Sequence, residues 1–106
     1  MSRFTQAFCL SRDQENHTVR VSIAVSEGQV DEITLPERDF KYVAKALWER
    51  SPTYEGCMIL KAKFKTDTGF FSLSAQTGMH SRSVYRLYEN QVMRVIGQYM
   101  AETGGE

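Results

Sequence analysis

The sequence is short of most features that announce a chemistry. It has two cysteines, Cys9 and Cys57, far apart in the chain. A disulfide framework uses more of them at regular spacing, so both are read as reduced residues in or near the core. His17 and His80 are the only histidines. Neither they nor the cysteines show the close local spacing of a zinc site. The glycines at 56, 69 and 78 stand singly, as turn residues do, with no loop that would cradle a phosphate. Carboxylates are spread over turns and the first helix, with no pair placed in one cleft. Cys57 beside Gly56 reads as a strand cysteine rather than a nucleophile activated by His80. These absences point to no catalysis, no cofactor and no metal.

Long apolar runs are missing as well. No stretch approaches the length of a membrane span, and the opening "MSRFTQAFCLSRDQ" lacks a secretory apolar region, so a cytoplasmic protein without membrane contact is expected. An excess of one charge sign is the last absence: 13 Lys and Arg balance 13 Asp and Glu. No global field is available to hold a polyanion, and a dedicated nucleic-acid binder usually has a basic excess.

What is present describes a packed domain. The 106 residues are 42% hydrophobic and 25% charged, ordinary for a globular chain and enough for one core, so residues 1–106 are read as a single domain. In "RFTQAFCLS", Phe4, Phe8 and Leu10 alternate, and "DQEN" follows with turn chemistry. "HTVRVSIAV" alternates most cleanly, with Val19, Val21, Ile23 and Val25 on one side. "SEGQ" is a turn, and a short strand follows with Ile33 and Leu35 inward. "PERDFKYVAKALWERSP" carries both marks of a helix. Pro36 opens it, and Pro52 restricts Ser51 and stops it. Phe40, Val43, Ala44, Leu47 and Trp48 make its apolar face, and Glu37 with Lys41 an i,i+4 pair on the wet side.

"CMILKAKFKTDTGFFSLSAQ" predicts a hairpin around "TDTG". Phe64 then faces Phe71, Ala62 faces Leu73 and Leu60 faces Ala75 on the inner side. Lys63 meets Ser72 and Lys61 meets Ser74 on the outer side. One register sorts both faces, whereas a slip of one residue would invert every side chain. From about Ser81 to Ala101 the spacing of Val84, Leu87, Tyr88, Val92, Val95, Ile96 and Tyr99 predicts a second helix, with Ser81 as its N-cap. Gly97 weakens that helix locally and marks a close approach to another element. The expected fold is α+β: an antiparallel sheet in βββ-α-ββ-α order with two helices packed on one face.

"SAQTGMHSRSVYRLYEN" reads in two ways. With Leu73, small Ser74, Thr77-Gly78 at the turn and apolar Met79, Val84 and Leu87, residues 73–90 resemble the helix-turn-helix of phage repressor-like regulators. The resemblance covers about one-fifth of the chain. It implies a DNA-binding transcriptional regulator with His80, Arg82, Tyr85 and Arg86 facing the groove. Against it, "FFSLSAQ" pairs well as a strand, and the apolar stripe of the following helix runs on to Tyr99. The segment is therefore read first as a strand-to-helix junction.

Two further surfaces stand out. Lys61, Lys63 and Lys65 form a basic stripe on one strand face, suited to single-stranded nucleic acid with Phe70 as a stacking platform, or simply solvated. Glu27, Asp31 and Glu32 lie close together, Tyr54 and Glu55 share a loop, and Tyr85 and Met93 widen the second helix's stripe. Such residues suit a protein partner, or a homodimer through the C-terminal helix. In size, neutral charge and lack of a catalytic set, the chain is similar in character to small phage- or mobile-element-encoded inhibitors of host systems, anti-CRISPR proteins among them. That similarity implies a non-catalytic protein acting by protein–protein contact on a host complex.

Overall fold

A computed structural model describes residues 7–103. β1 (Ala7–Asp13), β2 (Thr18–Ser26) and β3 (Gln29–Pro36) form one antiparallel sheet in the order β1-β2-β3. Val19, Val21 and Ile23 of β2 are fully buried, which fixes the face this sheet turns inward. The β1–β2 corner is closed by Asp13, whose carboxylate accepts the Asn16 backbone N–H and its Nδ2 at 3.1 and 2.8 Å. Phe4 lies outside the described residues.

β3 leads directly into α1 (Glu37–Trp48), with extended Pro36 as the residue before its first turn. Phe40, Val43, Ala44 and Leu47 are buried as the helical spacing requires, but Trp48 is half exposed and Ala46 takes an inward place. Lys41 lies on the wet side and its charge acts on Glu37, but Glu37 itself is only half exposed. The Glu37 carboxylate instead accepts Arg12 Nε at 2.8 Å and the Tyr99 hydroxyl at 3.1 Å.

The second half forms β4 (Glu55–Gly56), β5 (Leu60–Lys65), β6 (Phe70–Gln76) and β7 (Arg82–Tyr88), an antiparallel sheet in the order β4-β5-β6-β7. The β5–β6 register is the one the two-faced pattern demands: Phe64 opposite Phe71, Ala62 opposite Leu73, Leu60 opposite Ala75, Lys63 opposite Ser72 and Lys61 opposite Ser74. α2 (Glu89–Glu102) closes the chain. The fold is α+β, with three strands, a helix, the hairpin and a terminal helix in the expected order; β4 and β7 are additional strands.

β7 corrects the reading of residues 81–88 as helix. Val84, Leu87 and Tyr88 satisfy helical spacing, but Tyr85 and Leu87 alternate inward with Arg82, Val84, Arg86 and Tyr88 outward. The inner row of β6 (Phe71, Leu73, Ala75) offers that alternation a ready partner, and the residues pair throughout from Gln76–Arg82 to Phe70–Tyr88. Tyrosine and valine also favour a pleated surface. Tyr88, not Ser81, precedes the first turn of α2. The helix-turn-helix resemblance fails for the same reason: both its helices fall on strands, and residues 77–81 are the loop between them.

The inner faces of both sheets and both helices share one buried cluster. α1 packs mainly on β4 and β5 of the other sheet, while α2 reaches back to β1. Gly97 sits where α2 approaches α1, with Trp48 Cζ3 3.7 Å from the position a Cβ would take. Cys57 is half-buried near the core as expected, but Cys9 is exposed on β1, against the expectation that both lie in or near the core. Among the described residues, no helix is long and apolar enough to cross a membrane.

Candidate nucleic-acid interface

The outward face of the second sheet gathers residues that the sequence scatters over thirty-five positions, from Tyr54 to Tyr88. Strand alternation sends Lys61, Lys63 and Lys65 of β5 to this side. With them come Phe70, Ser72, Ser74 and Gln76 of β6, and Arg82, Val84, Arg86 and Tyr88 of β7. The registers then set them in rows: Lys65–Phe70–Tyr88, Lys63–Ser72–Arg86, Lys61–Ser74–Val84 and finally Gln76–Arg82.

The first row ends in an aromatic platform. The Phe70 and Tyr88 rings lie 4.8 Å apart at an angle of 40°. The Arg86 guanidinium stands 5.3 Å from the Phe70 ring centre, from the neighbouring row. Tyr54 crosses the second row from the β4 edge: its hydroxyl shares a 2.7 Å hydrogen bond with Ser72 Oγ, and Lys63 Nζ stands 5.4 Å from its ring. This is why Ser72 is buried although it points outward. Charge on the three long strands is of one sign, although Glu49 and Glu55 line a recess with Lys61 and Tyr54 at the β4 edge. β5, β6 and β7 contain no carboxylate, and from Gly56 to Tyr88 five Lys and Arg face one acidic residue, Asp67, in the β5–β6 turn.

Arg82 and Arg86 have different roles. Arg82 is a clamp: Nε donates to Ser74 Oγ at 2.7 Å, Nη2 to the Ser74 carbonyl at 2.8 Å, and Nη1 to the Met58 carbonyl at 3.0 Å. It ties the β4–β5 loop to β6 and β7. Arg86 lies on the aromatic platform instead. His80 is exposed in the β6–β7 loop, which the Thr77 N–H closes onto the Ser81 carbonyl at 3.0 Å. Tyr85 is on the opposite, inner side and only 4% exposed, so it can serve neither a DNA groove nor a partner surface directly. Its hydroxyl donates to Asp31 Oδ2 at 2.7 Å, linking the two sheets. Burial, and then that hydrogen bond, pushes the phenol pKa up.

The residues read as a protein surface are dispersed. Glu27 is exposed in the β2–β3 turn, Glu32 faces Arg20 across the first sheet at 3.9 Å, and Asp31 is engaged by Tyr85. Glu55 is exposed on β4 and lines a recess with Tyr54 and Lys61. Met93 packs against the core with Val95 and Met100, which leaves α2 a largely polar surface at Arg94, Gln98 and Glu102. Among the described residues, no group of three or more His, Cys, Asp and Glu side chains could hold a metal ion.

Tyr88 and Arg86 as partners of Phe70 are not legible in the sequence, because residues 81–88 satisfy helical spacing and only the pairing with β6 makes them a strand. One signal was available. Total charge is zero, yet the stretch from Gly56 to Tyr88 is basic, and a charge count by segment would have drawn attention to it. No family model matches the chain, and no curated protein or solved structure is significantly similar to it.

Proposed function

We propose that this is a non-catalytic, cytoplasmic binding protein whose second sheet receives single-stranded nucleic acid on its outward face. The observation that supports it is the joining of a stacking platform, Phe70 and Tyr88, to a row of cations on a face whose three long strands, β5, β6 and β7, carry no carboxylate. Phosphates are drawn to the cations and unpaired bases stack on the rings, a combination that tolerates any base sequence. Duplex DNA hides its base faces and would find only the charges. Fluorescence anisotropy with a labelled twelve-nucleotide strand and its duplex, read over a salt series, tests this. The single strand should bind more tightly, with log K falling against log salt by about 0.7 for each phosphate contact. No binding of the strand at low salt would remove the proposal.

A second reading keeps the protein–protein alternative, an inhibitor of a host complex in the manner of anti-CRISPR proteins. It is favoured by a groove of about 540 Å³ between α1 and α2, with Tyr42, Tyr99 and Met100 along it and Arg38, Lys41 and Lys45 beside them. An acidic, partly apolar protein segment would suit it. A basic groove would repel its own copy, which disfavours a homodimer there.

A further inference from the structure

We propose that a second copy of this chain pairs antiparallel with β7, centred on Tyr85, so that the second sheets of two copies become one continuous sheet. Such a pairing uses the edge of the sheet and is independent of what its outward face binds.

β6 pairs with every residue of β7, and among the described residues no strand lies on the other side of β7. In an antiparallel sheet every second residue of an outer strand turns its N–H and C=O away from the ladder, where another strand can take them. Outer strands are commonly guarded by brevity, proline, a bulge or charge along the edge. β4 is two residues long, and β3 ends in Pro36 and carries Asp31 and Glu32. The exposed side chains of β1, Cys9, Ser11 and Asp13, are small or charged. β7 is seven residues long and has neither proline nor bulge. Both its arginine head groups reach back over β6, Arg82 onto Ser74 and Arg86 onto the Phe70 ring. Its other two outward side chains, Val84 and Tyr88, are 64% and 47% exposed.

Self-complementarity fixes both the occupant and the register. Paired residues share a face of the sheet, so a two-fold pairing of β7 with itself is centred on one residue. Centring on Val84 sets Arg82 opposite Arg86 of the second copy, and centring on Arg86 sets that arginine opposite itself. Like charges directly opposite are destabilising. Centres nearer either end leave most of the strand unpaired. Centring on Tyr85 pairs all seven residues and separates the arginines: Arg82 stands opposite Tyr88, Ser83 opposite Leu87 and Val84 opposite Arg86. An arginine beside a tyrosine ring is a favourable neighbour. The β5 lysines of the two copies then lie five strand spacings apart, about 24 Å. That is well beyond the screening length of about 8 Å at physiological salt, so the two basic faces do not oppose the pairing.

Sedimentation equilibrium of the full chain over a concentration series tests this, and the average mass should rise from that of one chain toward that of two. Val84→Lys sets a lysine opposite Arg86 twice in the dimer and should weaken association about tenfold. Val84→Glu sets a carboxylate there and should tighten it several-fold. Val84 is exposed, so neither change reaches the core, and far-ultraviolet circular dichroism checks the fold of each variant. The register is read by cysteine pairing in a Cys9→Ser background, with that chain as the control. Under oxidised glutathione, Val84→Cys mixed with Arg86→Cys should give a disulfide-linked dimer, and neither variant should cross-link by itself. Cross-linking of Val84→Cys or Arg86→Cys alone would overturn the register. A chain that stays monomeric at millimolar concentration, or association indifferent to both Val84 substitutions, would overturn the pairing.

Discussion

Glu37 illustrates how much a single side chain depends on what the fold brings to it. It lies in the first turn of α1, where a carboxylate complements the helix dipole. Arg12 from β1 and Tyr99 from α2 converge on it from residues 25 and 62 positions away. The Arg12 hydrogen bond holds the Glu37 carboxyl below the usual carboxylate range, against the opposing effect of burial. A folded-state pKa below the unfolded one stabilises the protein above the unfolded value and ceases to do so as pH falls through the folded one. Glu37→Gln should therefore flatten the acid side of the stability–pH curve. Tyr99 is pushed up, first by burial and then by its bond to Glu37, so its contribution is complete below the ordinary phenol range and declines above it. Tyr99→Phe removes only the hydroxyl and should cost about 1.5 kcal/mol, read from urea unfolding at neutral pH. An unaltered acid limb in Glu37→Gln, or no loss in Tyr99→Phe, would show that the Arg12–Glu37–Tyr99 contact contributes nothing to stability.

At the scale of elements, the two-residue β4 matters beyond its length, because it carries Tyr54 to the edge of the basic face. Its seat depends on Gly56, which has φ +146°, a region L side chains avoid. A Cβ there would stand 2.5 Å from the Leu60 carbonyl oxygen and 3.1 Å from Val43 Cγ2. Neither the backbone of β5 nor the buried face of α1 has room to yield. Gly56→Ala should destabilise the protein by about 3 kcal/mol, measured by thermal and urea unfolding; a wild-type-like midpoint would show that β4 can move without cost. Elements also differ in how far the sequence declared them. The β5–β6 hairpin was legible to the register, because "LKAKFK" and "FFSLSA" each separate an apolar side from a polar one. β7 was not, because "RSVYRLY" satisfies helical and strand periods together and only the open edge of β6 decides between them. The candidate site was half legible for the same reason: β5 and Phe70 could be found, whereas Tyr88 and Arg86 needed β7.

Over the whole molecule, the chain makes two passes of meander and helix; α1 packs chiefly on the other pass's sheet, and α2 bridges its own sheet and β1 of the first. Neither half can bury its apolar face alone. A fragment ending after Ser51 should lack cooperative thermal unfolding, and mixing it with the complementary fragment should restore a folded signal in proton NMR spectra. A well-dispersed spectrum from the first fragment by itself would refute the interlocking. The same arrangement explains how a chain of zero formal charge presents a basic surface. The second sheet takes its three long strands from the acid-poor stretch after Gly56, while most of the carboxylates lie earlier in the chain.

The sequence by itself determined the α+β class, α1, the central strand β2 and the register of β5 on β6. In those stretches one periodicity outcompetes the other, and local pattern and burial agree. Only the tertiary structure decided the character of residues 82–88, the partners of Glu37, the burial of Tyr85 and the meeting of Tyr54, Phe70, Arg86 and Tyr88 on one face. Each depends on a neighbour distant in the chain, and a local pattern carries no information about which strand edge or helix face will stand beside it.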